Sequence, residues 1–214
     1  ERIALSAEVL TDFPLHIGAA ARIELPWGLR VHTSLGVMPG PYLDTINALC
    51  TEAGWYDQLT ADLISAALEN SMVWRLRAMW HPLSHSGFYM GGGYSLAALG
   101  GGLSGAELVA LASGVTLSEQ IDGKLDFKTE AMLHMLDVEF GWEFVFFDQL
   151  LLRVALGGAF TVDASSTLKP GWEVSKVAQP KVDELALSGE VYLDDIMERY
   201  VHTVTLSLAL GWRF

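Results

Sequence analysis

The chain has 214 residues, with 13 Lys and Arg against 26 Asp and Glu, a formal net charge of −13, 51% hydrophobic residues and one Cys. That apolar content excludes disorder, and the acidic balance argues against a nucleic-acid partner, which needs a basic face to replace counterions. A single Cys excludes an intramolecular disulfide and a Cys-rich zinc site, and the length suits one domain spanning 1–214.

The chain opens on a period of two. Ile3, Leu5, Ala7 and Val9 alternate with Ala4, Ser6 and Glu8, which predicts a strand over 2–10. The start lacks the basic and apolar regions of an export leader, so an exported protein would have this chain as its mature form. A short link at 11–14 leads to a second strand over 15–25, where Leu15, Ile17, Ala19, Ala21, Ile23 and Leu25 share one face. Pro26 and Trp27 turn the chain into a third strand over 28–38, with Leu29, Val31, Thr33, Leu35 and Val37 on one face. The segment 39–70 changes period. Tyr42, Leu43, Ile46 and Leu49 predict a helix broken at Gly54, and Leu59, Leu63, Ile64, Ala67 and Leu68 predict a second one after Asp57.

Alternation returns over 71–81, with Met72, Trp74, Leu76, Ala78 and Trp80 on one side and Arg75 and Arg77 on the other. A turn at 82–86 precedes a glycine-rich strand over 87–99. The loop 100–130 carries a capping-box pattern, Ser104 and Glu107, ahead of Leu108, Val109 and Leu111, and predicts an apolar helix. The longest apolar stretches, 88–106 and 103–118, hold many glycines or Glu107, and neither suits a membrane-spanning helix. Strands over 131–147 and 150–162 follow, joined at Asp148 and Gln149. After the loop 163–198 comes the longest clear signal. From Tyr200, even positions read Tyr, His, Val, Leu, Leu, Leu, Trp and Phe, and odd positions are small or polar, which predicts a strand over 199–214. Soluble strands average about 5–6 residues.

Eight strands, short turns on one side and long loops on the other predict an all-β fold: an antiparallel up-and-down transmembrane barrel with short helices in its external loops. Charge placement decides which face meets lipid. The apolar faces hold no Asp, Glu, Lys or Arg, whereas Glu8, Arg22, Glu24, Arg30, Arg75, Arg77, Asp137, Glu139, Glu143, Arg153 and Arg213 occupy the opposite faces. An eight-stranded interior is too narrow for the many rings of the apolar faces, so these point outward and the charges fill the lumen as a paired network. Trp27, Trp80, Trp142, Phe144 and Tyr200 are expected at the lipid interface. Arg75, Arg77 and Arg153 are expected within salt-bridge reach of some of Glu8, Asp137, Glu139 and Glu143, and across the hairpin at 148–149 Arg153 is expected to pair most directly with Glu143 or a neighbour.

The chain ends on Phe214, preceded at alternate positions by Trp212, Leu210, Leu208 and Leu206. This resembles the C-terminal signal of bacterial outer-membrane proteins, and the resemblance implies recognition by the barrel-assembly machinery. Across its length the architecture resembles the small eight-stranded outer-membrane family that includes the OmpA transmembrane domain and OmpX. The resemblance implies a bacterial outer-membrane location, contact with membrane lipid and lipopolysaccharide, no cofactor and no metal.

The net acid lies in the loops. Residues 39–70 hold Asp44, Glu52, Asp57, Asp62 and Glu69 without Lys or Arg, and 163–198 are also acid-rich. Such a surface attracts divalent cations that bridge lipopolysaccharide, or is simply solvated. Apolar helices in 39–70 and 100–130 are expected to cap the barrel mouth or to dock an envelope partner. Catalytic patterns fare poorly. The glycine triplets at 91–93 and 100–102 fit no phosphate loop, and 102–106 misses a nucleophile elbow. His81, His85 and Ser86 share a turn with no third metal ligand evident. His32 and Ser34 form a His-x-Ser pair that resembles the lipid A deacylase PagL, but the register points it into the lumen. No catalytic residue is assigned. The reading is a non-enzymatic anchor or scaffold, with an outer-leaflet lipid-modifying enzyme or a narrow ion or solute channel as alternatives.

Overall fold

The computed structural model describes residues 3–55, 58, 61, 65, 71–83, 86–104, 126–171 and 179–214. Eight strands run in chain order: β1 Ala4–Phe13, β2 His16–Glu24, β3 Leu29–Val37, β4 Met72–Trp80, β5 Phe88–Ser104, β6 Asp126–Phe146, β7 Leu150–Pro170 and β8 His202–Arg213. Each pairs antiparallel with its chain neighbours, and β1 pairs with β8, which closes the barrel. Closure leaves no sheet edge within the cylinder, the condition for crossing a bilayer with strands. Among the described residues two helices have defined bounds on the outer side, α1 Gly40–Glu52 and α2 Gln179–Tyr200.

The register matches the alternation. Phe140 is 53% exposed and Leu156 59%, whereas Glu139 and Arg153 beside them in the strands are buried. Ala7 lies opposite Trp212 and Glu8 opposite Gly211, so the apolar faces of β1 and β8 coincide. The tight inner turn between β2 and β3 has Trp27 and Gly28 at φ 64° and 74°. Glycine takes that left-handed geometry without strain.

The strands outrun their predicted ends. β1 continues to Phe13 and turns at Pro14 and Leu15. β5, β6 and β7 extend past the barrel as a three-stranded sheet, with Gly100 opposite Glu130 and Thr129 opposite Leu168. The predicted loop 100–130 is therefore strand at both ends. Ser104, expected to open a helix, closes β5 instead, and 105–125 lie outside the described residues. Cross-strand pairing overrides a capping pattern whose helix would leave the edge of β6 open. The helix predicted around Tyr42 to Leu49 is α1, ended at Ala53 whose N–H reaches Leu49 O, and Gln58, Ala61 and Ser65 of the second predicted helix are helical.

α2 is not foreseen by the sequence reading. Its buried positions Ala186, Gly189, Leu193, Ile196 and Met197 follow a helical spacing inside a segment expected to be a loop. It covers the part of β7 beyond Phe160, where β8 no longer pairs. Glu190 supplies the missing acceptor: its Oε1 receives the Leu168 N–H at 2.8 Å, and its carbonyl receives the Ser166 hydroxyl at 3.1 Å. The assignment of Tyr200 is corrected by the same element. Tyr200 ends α2, and Val201 N–H donates to Met197 O at 3.1 Å, so the strand begins only at His202 and Tyr200 stands outside the alternation of β8.

Candidate functional site

The lumen holds the charges that alternation placed there. Glu8, Arg22, Glu24, Arg75, Arg77, Asp137, Glu139, Glu143 and Arg153 are buried, and Arg30 and Arg213 are half-buried at the inner end. Asp12 joins them and escapes the sequence reading, because the strand was expected to stop before it. With Asp12 the described lumen residues comprise equal numbers of arginines and carboxylates, so their formal charge, histidines neutral, is zero. The net acidity of the chain therefore resides outside the network.

These groups form one continuous ladder. At the inner end Arg213 meets Glu24 at 2.7 Å, and Arg22 and Arg30 both hold Glu143. Arg22 also reaches Glu8 at 3.3 Å. Glu8 meets Arg153 at 3.1 Å, and Arg153 lies 3.5 Å from Glu139. Glu139 takes Arg77, Arg77 reaches Asp12 at 3.0 Å, and Asp12 meets Arg75 at 2.6 Å. Arg75 ends the ladder on Asp137 at 3.0 Å, which also receives the Ser95 hydroxyl. Each carboxylate thus has a guanidinium, the arrangement that makes buried ions tolerable.

Arg153 meets two of the carboxylates expected for it, Glu8 and Glu139, rather than Glu143, which sits directly opposite in register. Glu139 is on the adjacent β6 and Glu8 two strands away on β1, and a long side chain passes over the residue facing it to reach them.

Above Asp12 and Asp137 the inward positions turn apolar. Leu15, Val73, Ala97, Leu99, Leu133 and Met135 pack with Leu43 of α1 and Met197 of α2 in a single cluster. α1 is tied to the rim by Tyr42, whose hydroxyl lies 2.7 Å from Thr11 Oγ1 and whose ring packs edge-on against Phe13. The ionic ladder is stoppered by an apolar plug, and both helices contribute to it.

The outer face completes the picture. Trp80, Trp142, Phe144 and Trp212 are exposed toward the inner end, with Trp27 in the adjoining turn. Leu206, Leu208 and Leu210 continue the apolar stripe of β8, and Phe214 donates its N–H to Leu5 O at 2.9 Å. At the outer end a second ring of polar aromatics appears. Trp74 Nε1 donates to Thr33 Oγ1 at 3.0 Å, Trp74 meets Tyr94 edge-on, Tyr94 bonds His134, and Phe160 packs on His202. From Trp212 to His202 a strand rising ~3.3 Å per residue and tilted ~45° climbs ~23 Å, close to the ~25 Å apolar band of outer-membrane barrels.

No protein-family profile matches the sequence, and no curated protein does. Among solved structures the chain is similar to a major outer membrane protein from Thermus thermophilus, with 11% identity, 100% of both chains covered and a TM-score of 0.54. The chain has the fold of that protein, a closed eight-stranded antiparallel β-barrel. Two further barrels align at lower scores: the N-terminal domain of Pseudomonas aeruginosa OprF (10% identity, 99% of this chain and 96% of that one, TM-score 0.48) and Acinetobacter baumannii CarO2 (9%, 100% and 100%, 0.46).

The barrel brings none of the weighed catalytic patterns to its outward face among the described residues. His32 and Ser34 are buried in the lumen, with His32 Nε2 3.2 Å from Arg153 and 3.5 Å from Glu8. In the inner turn His81 takes a hydrogen bond from Arg30 at 2.8 Å and stacks on Tyr89, while Ser86 bonds Leu83 O. His85 lies outside the described residues. Among the described residues no three His, Cys, Asp or Glu side chains gather as a metal site.

Proposed function

We propose that this outer-membrane barrel is a non-conducting, non-enzymatic anchor that presents an external platform to an envelope protein. One observation carries the reading: the lumen is occupied by an ion ladder and then by an apolar plug to which both external helices contribute. A conducting path would need water across that plug. The platform consists of the projecting β5, β6 and β7 sheet with α1 and α2. β6 is 21 residues long, roughly twice the ~9–11 that cross a bilayer, so its outer half stands clear of the lipid. Leu187 and Val191 on the outward side of α2, and Leu49 and Trp55 near the end of α1, are exposed apolar groups at that height. Segments 39–70 and 100–130 supply the rest of the contact, lipopolysaccharide surrounds the barrel, and the barrel-assembly machinery inserts it through the Leu206 to Phe214 stripe.

The test has two arms. Barrel reconstituted in a planar bilayer is expected to show no conductance steps. A photoreactive residue at 187 or 191 is expected to crosslink one envelope protein in cells, and the same residue at the lipid-facing position 76 is not. Regular conductance steps, or identical crosslinks from all three positions, would overturn the reading.

A further inference from the structure

Thr161 of β7 stands where the cylinder meets the external helices. Pairing of β7 with β8 stops at Phe160, opposite His202. Pairing with β6 is interrupted just beyond. Met135 lies opposite Thr161 and His134 opposite Asp163, so Val162 is the extra residue of a bulge. A bulge disrupts the ladder locally and leaves backbone groups to find other partners. Thr161 finds its partners where α2 runs into β8. Its N–H donates to His202 Nδ1 at 3.1 Å, and its hydroxyl donates to the Val201 carbonyl at 2.6 Å. Val201 in turn donates its N–H to Met197 O and closes the last turn of α2, and Met197 belongs to the apolar plug. A chain of hydrogen bonds thus runs from β7 into the cap.

The bond to His202 has a protonation requirement. Nδ1 accepts only with a free lone pair, so the ring in this contact is neutral and carries its proton on Nε2. An imidazolium has a donor at both nitrogens and would set N–H against N–H. Imidazole is the side chain whose charge ordinarily changes between pH 5 and 8. His202 is exposed at the outer rim, where protons of the external medium reach it. The charged and titratable side chains on the elements around it are Asp163 on β7, His134 on β6, and Glu198 and Arg199 at the end of α2, while β1 pairs with β8 only as far as Leu206. Among the described residues none of these bonds the His202 ring, whose other contact is the ring of Phe160 at 6.1 Å. The Thr161 amide is therefore held by one acceptor, and that acceptor is lost on protonation.

We infer that His202 is a pH-sensitive latch between barrel and cap. Neutral, it holds β7 to the junction of α2 and β8. Protonated at Nδ1 from the external medium, it releases Thr161, and acid thereby frees the last turn of α2. The latch rests on this junction alone and is independent of the anchor reading.

The experiment is amide hydrogen exchange on the full refolded barrel in detergent, resolved by NMR at pH 7.5 and pH 5 and corrected for the intrinsic pH dependence of exchange. In the wild type the protection of the Thr161 and Val201 amides is expected to fall about tenfold at the lower pH, the equivalent of one hydrogen bond, while that of Arg153 in the cylinder is unchanged. His202→Asn sets an amide oxygen near the place of Nδ1 and cannot titrate, so wild-type protection is expected at pH 7.5 and again at pH 5. His202→Phe keeps the packing on Phe160 without an acceptor, and low protection is expected at both pH values. His134→Asn, on the neighbouring strand, is expected to keep the full wild-type response. Heat-dependent migration on gels reports folding of each variant. Equal protection of the wild type at both pH values, an equal fall in His202→Asn, or wild-type protection in His202→Phe at pH 7.5 would overturn the latch.

Discussion

The two halves of the lumen solve the same packing problem with opposite chemistry. Read from the inner end, the inward residues of β6 are Glu143, Gly141, Glu139 and Asp137, then Met135, Leu133 and Ala131. On β4 the inward residues pass from Met79 through Arg77 and Arg75 to Val73. Through β5 the register aligns Arg75 with Met135 and Val73 with Leu133, so the change on the two strands falls within one inward position. Below it every wall belongs to the barrel, so a charge on one strand can count on a fixed partner across the lumen. Above it the walls include helices, whose docking needs a surface that tolerates small shifts. Apolar contact is non-directional and permits this, whereas ion pairs demand fixed geometry. The position of the switch therefore marks where the rigid cylinder ends and the docked cap begins.

The contrast breaks most visibly at the top of the ladder. Arg75→Ala is expected to cost about 3–5 kcal/mol, because Asp137 then keeps the Ser95 hydroxyl but loses its guanidinium in a buried site. Leu133→Ala, in the plug, is expected to cost about 2–4 kcal/mol through the cavity it leaves. The two losses differ in kind. A second substitution, Asp137→Asn, should recover much of the first, since a neutral amide needs no counterion, and should leave the second unchanged. Urea unfolding of the refolded single and double variants checks both. Equal recovery of the two variants by Asp137→Asn would mean that the halves are not chemically distinct.

The same halves differ in how much the sequence reveals. Alternation identifies all eight strands and the lumen face, because a one-residue slip would put guanidiniums in lipid and the pattern admits no such slip. The inner half is legible residue by residue except Asp12, hidden in an expected link, and which of the expected carboxylates Arg153 meets, since its length lets it pass over the residue directly opposite. The outer half is less legible. Continued pairing of β5, β6 and β7 is a tertiary choice that a capping pattern at Ser104 cannot foresee. α2 escapes notice although Ala186, Leu193, Ile196 and Met197 carry a helical period, because its acid-rich exposed side dominates the composition. Trp74, Tyr94 and His134 are assigned to strand faces but do not announce a second interface, since strand tilt fixes their height and tilt is invisible in one sequence.

The cap can be tested separately from the plug. Glu190→Ala removes the acceptor of the Leu168 N–H and leaves that amide on a strand edge without its side-chain partner. The expected cost is about 1–2 kcal/mol, confined to the outer sheet and α2. Hydrogen exchange at Leu168 should accelerate about tenfold while amides in the barrel, such as that of Arg153, keep their protection. Acceleration in both places would show that cap and cylinder unfold as one unit, and would remove the boundary drawn above.

The smallest expected effect lies at the floor of the ladder and concerns pH. His81 follows β4 in the inner turn, outside the spanning strands. Burial first, and then the neighbouring Arg30, push its pKa down from 6.5 to about 4. The geometry agrees, since Arg30 Nη1 lies 2.8 Å from His81 Nε2 and a guanidinium can only donate, which requires a neutral acceptor nitrogen. A group whose folded pKa is depressed favours its deprotonated form in the fold. Its contribution is therefore complete above pH 6.5 and is lost as pH falls from 6.5 toward 4. The full shift would correspond to ~3 kcal/mol, but the ring is partly solvated and screening reduces this to about 1 kcal/mol. His81→Gln keeps an acceptor for Arg30 and cannot titrate. Its unfolding midpoint should fall less than that of the wild type between pH 7 and pH 5, and all other titrating groups cancel in the comparison. Identical slopes would mean that His81 gains a proton in the fold without loss, and that Arg30 is held by Glu143 and Glu24 without it.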